Sequence, residues 1–399
     1  MKIIHTGDWH LGHRLYNYDR TDEEAYFFAQ LASAVERERP DAMVVSGDVF
    51  HTGTPGNDVA RAFTERLMGV QAACPSMETI VIAGNHDSGS RLAVDKELWR
   101  SCRVHVFGTP AAGEGGNADF AGSVVRIADK GVVAAVPFCH ERNFPRVDGA
   151  DGEKRAQEYF GGLSRYVKDA AGGLPAVLAA HMAVKADLDF RGHDKILAIG
   201  GEECVDAGEL GSAYGYVALG HIHCPQWVNG RKNRVRYCGT PRAIHFDETY
   251  AHGVDVVTVE AGGSVELKTV EFKPLRSLVT VGGDGGMAFG DALKALEGTP
   301  CAEGDYIRFN VRLEEGEPAG ADWTERARLA CGARGLRFCV NNMIRNVSGK
   351  KEGGERKVLT VTELRELSSD KVVDILASKR NLGGRQRELL KNLMEGEEA

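Results

Sequence analysis

Three strand-length apolar runs near the start of this chain each end in a glycine followed at once by metal-ligand side chains. Lys2–Thr6 runs into Gly7-Asp8-Trp9-His10, Ala42–Ser46 into Gly47-Asp48, and residues 79–83 into Gly84-Asn85-His86-Asp87. Residues 22–38 and 58–68, between these runs, have helical composition and spacing. Such alternation predicts an α/β scaffold, whose loops at strand carboxyl ends share one edge where ligands bind. Later runs at 132–136, 177–180 and 216–219 are expected to bring Ala180-His181 and Gly220-His221-Ile222-His223 to the same edge.

The side chains gathered in this way suit two hard or borderline divalent cations. Asp8 and His10 are one residue apart and can face one cavity, and Asp48 supplies a carboxylate able to bridge two ions. Asn85 offers an amide oxygen, and His181, His221 and His223 each offer a ring nitrogen. Manganese or magnesium fits this donor set; the imidazoles shift preference toward manganese and also admit iron or zinc. Two such ions about 3.5–4 Å apart stabilise the attacking and leaving oxygens of an in-line displacement, which is phosphoester chemistry. Three residues are read as catalytic without being ligands. His86 protonates a leaving oxygen or stabilises charge on the phosphorus, His51 positions substrate phosphate, and Asp87 fixes the His86 ring directly or by organising its loop. His5, His13, Asp19 and Asp22 are near the first motif, but nearness in sequence does not make them ligands.

Other chemistries are disfavoured. Nine cysteines without a Cys-x-x-Cys spacing argue against a zinc finger and for reduced structural thiols. No Gly-x-Ser-x-Gly elbow occurs, and Gly282-Gly283-Asp284-Gly285-Gly286 lacks the Lys-Ser/Thr ending of a phosphate loop, so it reads as a flexible linker. At 399 residues and 43% hydrophobic content the chain can bury a sizeable core in more than one domain. The net charge of -8 excludes a uniformly basic nucleic-acid coat but not a local positive groove. There is no secretory leader pattern at the start, and no apolar stretch approaches the roughly 20 residues needed to cross a bilayer. A soluble, cytoplasmic protein with no membrane partner is the expectation.

A hairpin expected over 254–259 and 265–270 closes a first domain, 1–272. Helix-like residues 287–297, a strand Tyr306–Leu313 and a helix at 323–330 form a smaller α/β module, 273–349. Beyond a charged linker at 350–357, residues 350–399 carry two short helices with apolar faces.

Asp8-Trp9-His10-Leu11-Gly12, Gly47-Asp48-Val49-Phe50, Gly84-Asn85-His86-Asp87 and Ala218-Leu219-Gly220-His221-Ile222-His223 closely resemble the SbcD nuclease family of calcineurin-like metallophosphoesterases. Arg236-Tyr237-Cys238-Gly239-Thr240-Pro241 and Phe246-Asp247-Glu248 look like that family's continuation. The resemblance implies a four-layer core, two central mixed sheets flanked by helices, with a small DNA-binding α/β cap and terminal helices that dock to an SbcC-type ATPase. It assigns Asp8, His10, Asp48 and His223 to one manganese-favouring site and Asp48, Asn85, His181 and His221 to the other, with His86 as the non-ligand catalytic histidine. It further implies a homodimer within a heterotetramer, acting on DNA ends as a 3′-to-5′ exonuclease and endonuclease in repair, recombination and replication. ATP binds the partner in this scheme, since this chain has no phosphate loop.

Arg231, Lys232, Arg234 and Arg236, with Arg326, Arg328, Arg334, Arg337 and Arg345 in the cap, are candidates for neutralising DNA phosphates. Two alternatives share parts of this pattern. A small-molecule phosphodiesterase or protein phosphatase would use the same ligands without an ATPase partner, and a non-catalytic DNA-end scaffold would use only the basic cap and tail.

Overall fold

The computed structural model describes residues 1–345 except 153, 187, 190, 192–204, 229–233 and 315–317. The helices expected in 350–399 and the basic pair Arg231 and Lys232 therefore lie outside the described residues.

Two six-stranded sheets form the centre. In the first, Lys2–Thr6, Ala42–Ser46, Glu78–Ile82 and Val104–Phe107 run parallel, and the hairpin Gly253–Val259 and Val265–Glu271 joins antiparallel at Lys2–Thr6. In the second, Gly131–Val136, Ala176–His181, Tyr216–Gly220 and Val235–Tyr237 run parallel, with Val124–Ile127 and Gln226–Trp227 antiparallel at the two edges. Parallel strands buried on both faces need continuous apolar sequence, which explains why these runs are not alternating. Ile3, Val44, Ile80 and Ile82 turn inward to meet Val133, Val177, Ala179 and Ala218 between the sheets. Their neighbours Ile4, Met43, Val45 and Val81 turn outward against helices.

Those helices complete four layers. Thr21–Glu38 buries Phe27, Phe28, Leu31, Ala34 and Val35, the spacing of one helical face, and Asn57–Ala73 buries Phe63, Leu67 and Val70 beside it. On the opposite side Arg155–Ala171 lays Tyr159, Phe160, Leu163 and Val167 on the second sheet. The expected α/β four-layer core is thus the observed one.

The smaller unit is a three-stranded parallel sheet, Leu278–Val281, Tyr306–Leu313 and Arg337–Arg345, with helices Phe289–Gly298 and Trp323–Gly332 as its crossovers. It has its own core around Phe289, Leu296, Phe309 and Val311. The sequence reading misses its first and last strands: one is only four residues long, and the other, RFCVNNMIR, is half exposed and carries no clean alternation. The glycine-rich 282–286 segment is also not a free linker. It is the strand-to-helix turn of this unit, with Gly282, Gly283 and Gly286 at positive φ and the Asn310 side chain donating to the Gly283 carbonyl at 2.7 Å.

No helix among the described residues is long and apolar enough to cross a membrane.

Candidate metal centre

Because the central strands of both sheets are parallel, their carboxyl-terminal loops meet at one edge. The first loop is anchored by Trp9, whose buried indole donates to Thr6 Oγ1 at 2.9 Å and sits edge-on to Phe27 and Phe28. This anchoring lets Asp8 and His10 adopt left-handed backbone, φ 51° and 46°. Asp48 and His221 also have positive φ, 47° and 106°, so four of the expected ligands occupy conformations that L residues avoid. Backbone strain of that kind, about 1–3 kcal/mol per residue, collects at functional sites when the surrounding fold over-determines it. Close approach is equally evident at Gly84, where a Cβ would lie 2.0 Å from Asp48 Oδ1, and at Gly47, where it would lie 2.2 Å from His181 Nδ1.

Asp48 is central. Its Oδ1 is 3.5 Å from His181 Nε2 and accepts the His86 backbone N–H at 2.9 Å, while its Oδ2 is 3.6 Å from His10 Nε2. Around Oδ2, His10 Nε2 and His223 Nε2 approach to 3.2 Å. Around Oδ1, the Asn85 oxygen is 2.9 Å from His181 Nε2 and 3.0 Å from His221 Nδ1. Asp8 accepts the His221 backbone N–H at 2.9 Å, and one atom each of Asp8, Asp48 and His181 lie within 4.8 Å of one another. All seven residues expected as ligands are therefore brought together.

The donor chemistry fits divalent cations. His181 Nδ1–H donates to the Ser46 carbonyl at 2.8 Å, which leaves its Nε2 as an acceptor facing the Asn85 oxygen, another acceptor. A cation removes that repulsion. Burial, with the neighbouring Asp48 charge, pushes the Asp8 carboxyl up to about 7. Burial holds His181 at about 4 and His10 well below the usual imidazole range, so both are neutral, as ligands must be. Burial also opposes charge on His223, but its hydrogen bond to Glu248 and the surrounding carboxylates outweigh this and raise it.

The three residues read as catalytic have distinct places. His86 Nδ1 donates to the His51 carbonyl at 3.1 Å, which leaves Nε2 for substrate. The His51 ring stacks on His86 at 5.8 Å, and His10, His51 and His86 each bring a ring nitrogen within 4.8 Å of the others. Asp87 accepts backbone N–H groups from Gly84, Val49 and Phe50 at 2.8, 3.1 and 2.9 Å. Of its two alternative tasks the geometry matches loop organisation; the His86 tautomer is set by the His51 carbonyl instead. His5 is buried between the Tyr216 hydroxyl and Ser46 Oγ, a structural placement.

Glu248 is a site residue that the sequence reading misses. Its Oε1 accepts from His223 Nδ1 at 3.3 Å, and Oε2 accepts from Thr240 Oγ1 and the Ile244 N–H, both at 3.1 Å. The Phe246-Asp247-Glu248 motif is the available signal, but it gives no indication of a contact 25 positions back in the chain.

The basic residues are mostly committed elsewhere. Arg236 is buried and paired with Asp255 at 2.5 Å beneath Trp227, so it does not face DNA. Arg334 donates to the Leu296 and Thr299 carbonyls, and Arg337 stacks on Tyr18 and Tyr306. Arg326 and Arg328 pair with Asp322 and Glu325 at 3.5 and 2.7 Å.

Residues 1–225 match the calcineurin-like phosphoesterase family. The chain is 30% identical to the SbcD component of the SbcCD nuclease of Rhodobacter capsulatus, over 79% of this chain and 81% of that protein. It is 30% identical to the Bacillus subtilis SbcD protein over 66% of this chain and 67% of that one. The SbcD protein of Escherichia coli K12 is 26% identical, with 71% of each chain covered. With the clustered ligands at the edge of a four-layer core, these matches place the chain among metal-dependent phosphoesterases, and it belongs to the SbcD family of calcineurin-like phosphoesterases.

Proposed function

We propose that this chain is the nuclease component of an SbcCD-type complex and hydrolyses DNA phosphodiesters at DNA ends, as a 3′-to-5′ double-strand exonuclease and as an endonuclease. The observation that carries the hydrolytic part is Asp48, whose two oxygens face two separate sets of ligand atoms. The names of the relatives, each a nuclease subunit, support the nuclease part. Asp8, His10, Asp48 and His223 would hold one manganese ion and Asp48, Asn85, His181 and His221 the other. Bound there, the pair supplies Lewis-acid activation and charge neutralisation for in-line displacement at phosphorus.

The protein's own groups do the rest. His86, its Nδ1–H fixed on the His51 carbonyl, presents Nε2 to deliver a proton to the leaving oxygen. His51, stacked beside it, contacts the phosphate, and Asp87 keeps the Gly84–Asp87 loop seated against residues 49 and 50. Residues 1–272 form the catalytic domain and 273–349 the DNA-contacting cap. Residues 350–399 dock to the SbcC-type ATPase, which binds ATP and controls access, and the assembly contains two copies of each chain in the cytoplasm.

The test compares manganese-supported degradation of end-labelled duplex DNA with turnover of a small phosphodiester, with and without the ATPase partner. DNA cleavage that disappears in Asp48→Ala while DNA binding persists is expected. Strong small-ester turnover with no DNA cleavage, even with the partner, sinks the nuclease reading. Cleavage unchanged in Asp48→Ala rejects Asp48 as the bridge. Deletion after residue 350 should weaken ATPase association, and full affinity without that segment ends the docking proposal.

A further inference from the structure

We infer that a groove on the second half of the core, opening beside the metal centre, binds the phosphate backbone of a single unpaired nucleic-acid strand. This rests on the nuclease reading above and adds a subsite to it. The groove has a volume of about 520 Å³ and lies between the loop around residues 109–116 and the segment 138–146. Its walls carry Arg142, Arg146, Arg155 and His140, and no carboxylate among the described residues lines it. That composition is unusual in a chain with net charge -8, in which exposed arginines such as Arg61, Arg100 and Arg328 pair with Asp58, Glu97 and Glu325.

The side chains of Arg142 and Arg146 are exposed and have no hydrogen-bond or ion-pair partner among the described residues. Glu141, in the same turn, is turned toward the start of the next helix, where it accepts the Ala156 N–H at 3.0 Å. The walls are built in advance. Ala118 N–H donates to the Arg146 carbonyl at 2.7 Å, Arg146 N–H to the Gly116 carbonyl at 3.0 Å, and Arg155 Nη1 to the Arg142 carbonyl at 2.8 Å. An anionic chain entering such a groove meets positive charge with no acid to displace.

Its inner end is Phe138. The Phe138 N–H donates to the Ala83 carbonyl at 2.9 Å, immediately before Gly84-Asn85, and its ring meets His181 edge-on at 6.3 Å. A strand lying along the arginines is therefore led to the ligands of the second cation set. The half-buried Phe138 ring, edge-on to His140 at 5.1 Å as well, offers a stacking surface that suits a base released from its pairing partner. A groove of about 520 Å³ also has room for a few nucleotides of one strand and not for a duplex, whose major groove alone is roughly 12 Å wide. Both points select one separated strand, the form in which an end is threaded to a cleavage centre.

The experiment uses the full chain with Arg142→Ala/Arg146→Ala. Binding of a fluorescent oligothymidylate is measured by anisotropy in chelator over a range of salt, with manganese-dependent turnover of a small phosphodiester as the measure of an intact centre. Losing two phosphate contacts should weaken binding roughly tenfold at low salt and reduce the salt slope by about 1.4. Small-ester turnover should stay at the wild-type level, and Arg142→Lys/Arg146→Lys should restore the slope. Unchanged affinity and slope, in a protein whose wild type cleaves DNA, overturn the groove and leave the nuclease reading intact. A wild type that neither binds the strand nor cleaves DNA ends both. Equal loss for blunt duplex and single strand overturns the single-strand assignment, and reduced small-ester turnover that the lysine pair fails to recover overturns the groove as a subsite separate from the metal centre.

Discussion

Replacing Glu248 by Gln tests whether the metal ligands depend on a carboxylate outside the expected ligand set. Glu248 is 6% exposed and serves donors on both oxygens: His223 Nδ1 at 3.3 Å on one side, Thr240 Oγ1 and the Ile244 N–H at 3.1 Å on the other. A glutamine has one acceptor oxygen for these two sides. If it faces Thr240 and Ile244, the amide NH2 meets His223 Nδ1, which must become the acceptor. The ring proton then moves to Nε2, the atom that faces His10 at 3.2 Å and the metal position. Loss of such an orienting partner typically weakens metal binding about 10–100-fold, about 1.4–2.7 kcal/mol. If the oxygen instead faces His223, the Ile244 N–H is left against an amide NH2, costing about 1–3 kcal/mol of stability. Calorimetric titration of metal-free protein with manganese reads the first outcome, and denaturant unfolding in chelator reads the second. Glu248→Gln protein matching wild type in both manganese affinity and stability would show that Glu248 does not orient His223.

Further outcomes follow from the same geometry. Metal-free protein should lose stability on acidification from about pH 6.5 to about 4. His5, His13 and His181 are held at about 3, 2 and 4, mainly by burial, and His10 well below the usual value, so the unfolded chain takes up protons that the folded one refuses. Asp8 and Asp87, raised to about 7, act in the opposite direction across that window, but the four histidines outnumber them. Thermal melts in chelator that are flat or rise on acidification contradict this. Asp255→Ala should cost about 3–5 kcal/mol in denaturant unfolding by stranding the buried Arg236, and an apolar pair at both positions should recover most of it. Recovery that does not occur points to a role beyond the pair. Gly84→Ala should lose stability and most manganese-dependent turnover, because its Cβ would press on both Asp48 Oδ1 and the Asp48 backbone nitrogen; wild-type stability and activity would show that the loop yields freely.

Local and periodic features of this protein are legible in the chain itself. A buried parallel strand is mostly apolar, so Lys2–Thr6, Ala42–Ser46 and Tyr216–Gly220 are visible as short runs, and the glycines and ligands that follow them are visible as motifs. Chain order plus parallel topology is then sufficient to send Asp8, Asp48, Asn85, His181, His221 and His223 to one edge. Whatever depends on contacts between distant segments is settled by folding. Arg236 and Arg142 look alike in sequence; one is buried against Asp255 and the other lines a groove free of acids. Glu248 gains its place from a bond to His223, and Asp48 its central position from sheet-to-sheet packing that puts different ligands at each oxygen. Charge and hydrogen-bond pairing are set by distance in space, whereas a sequence motif records only distance along the chain.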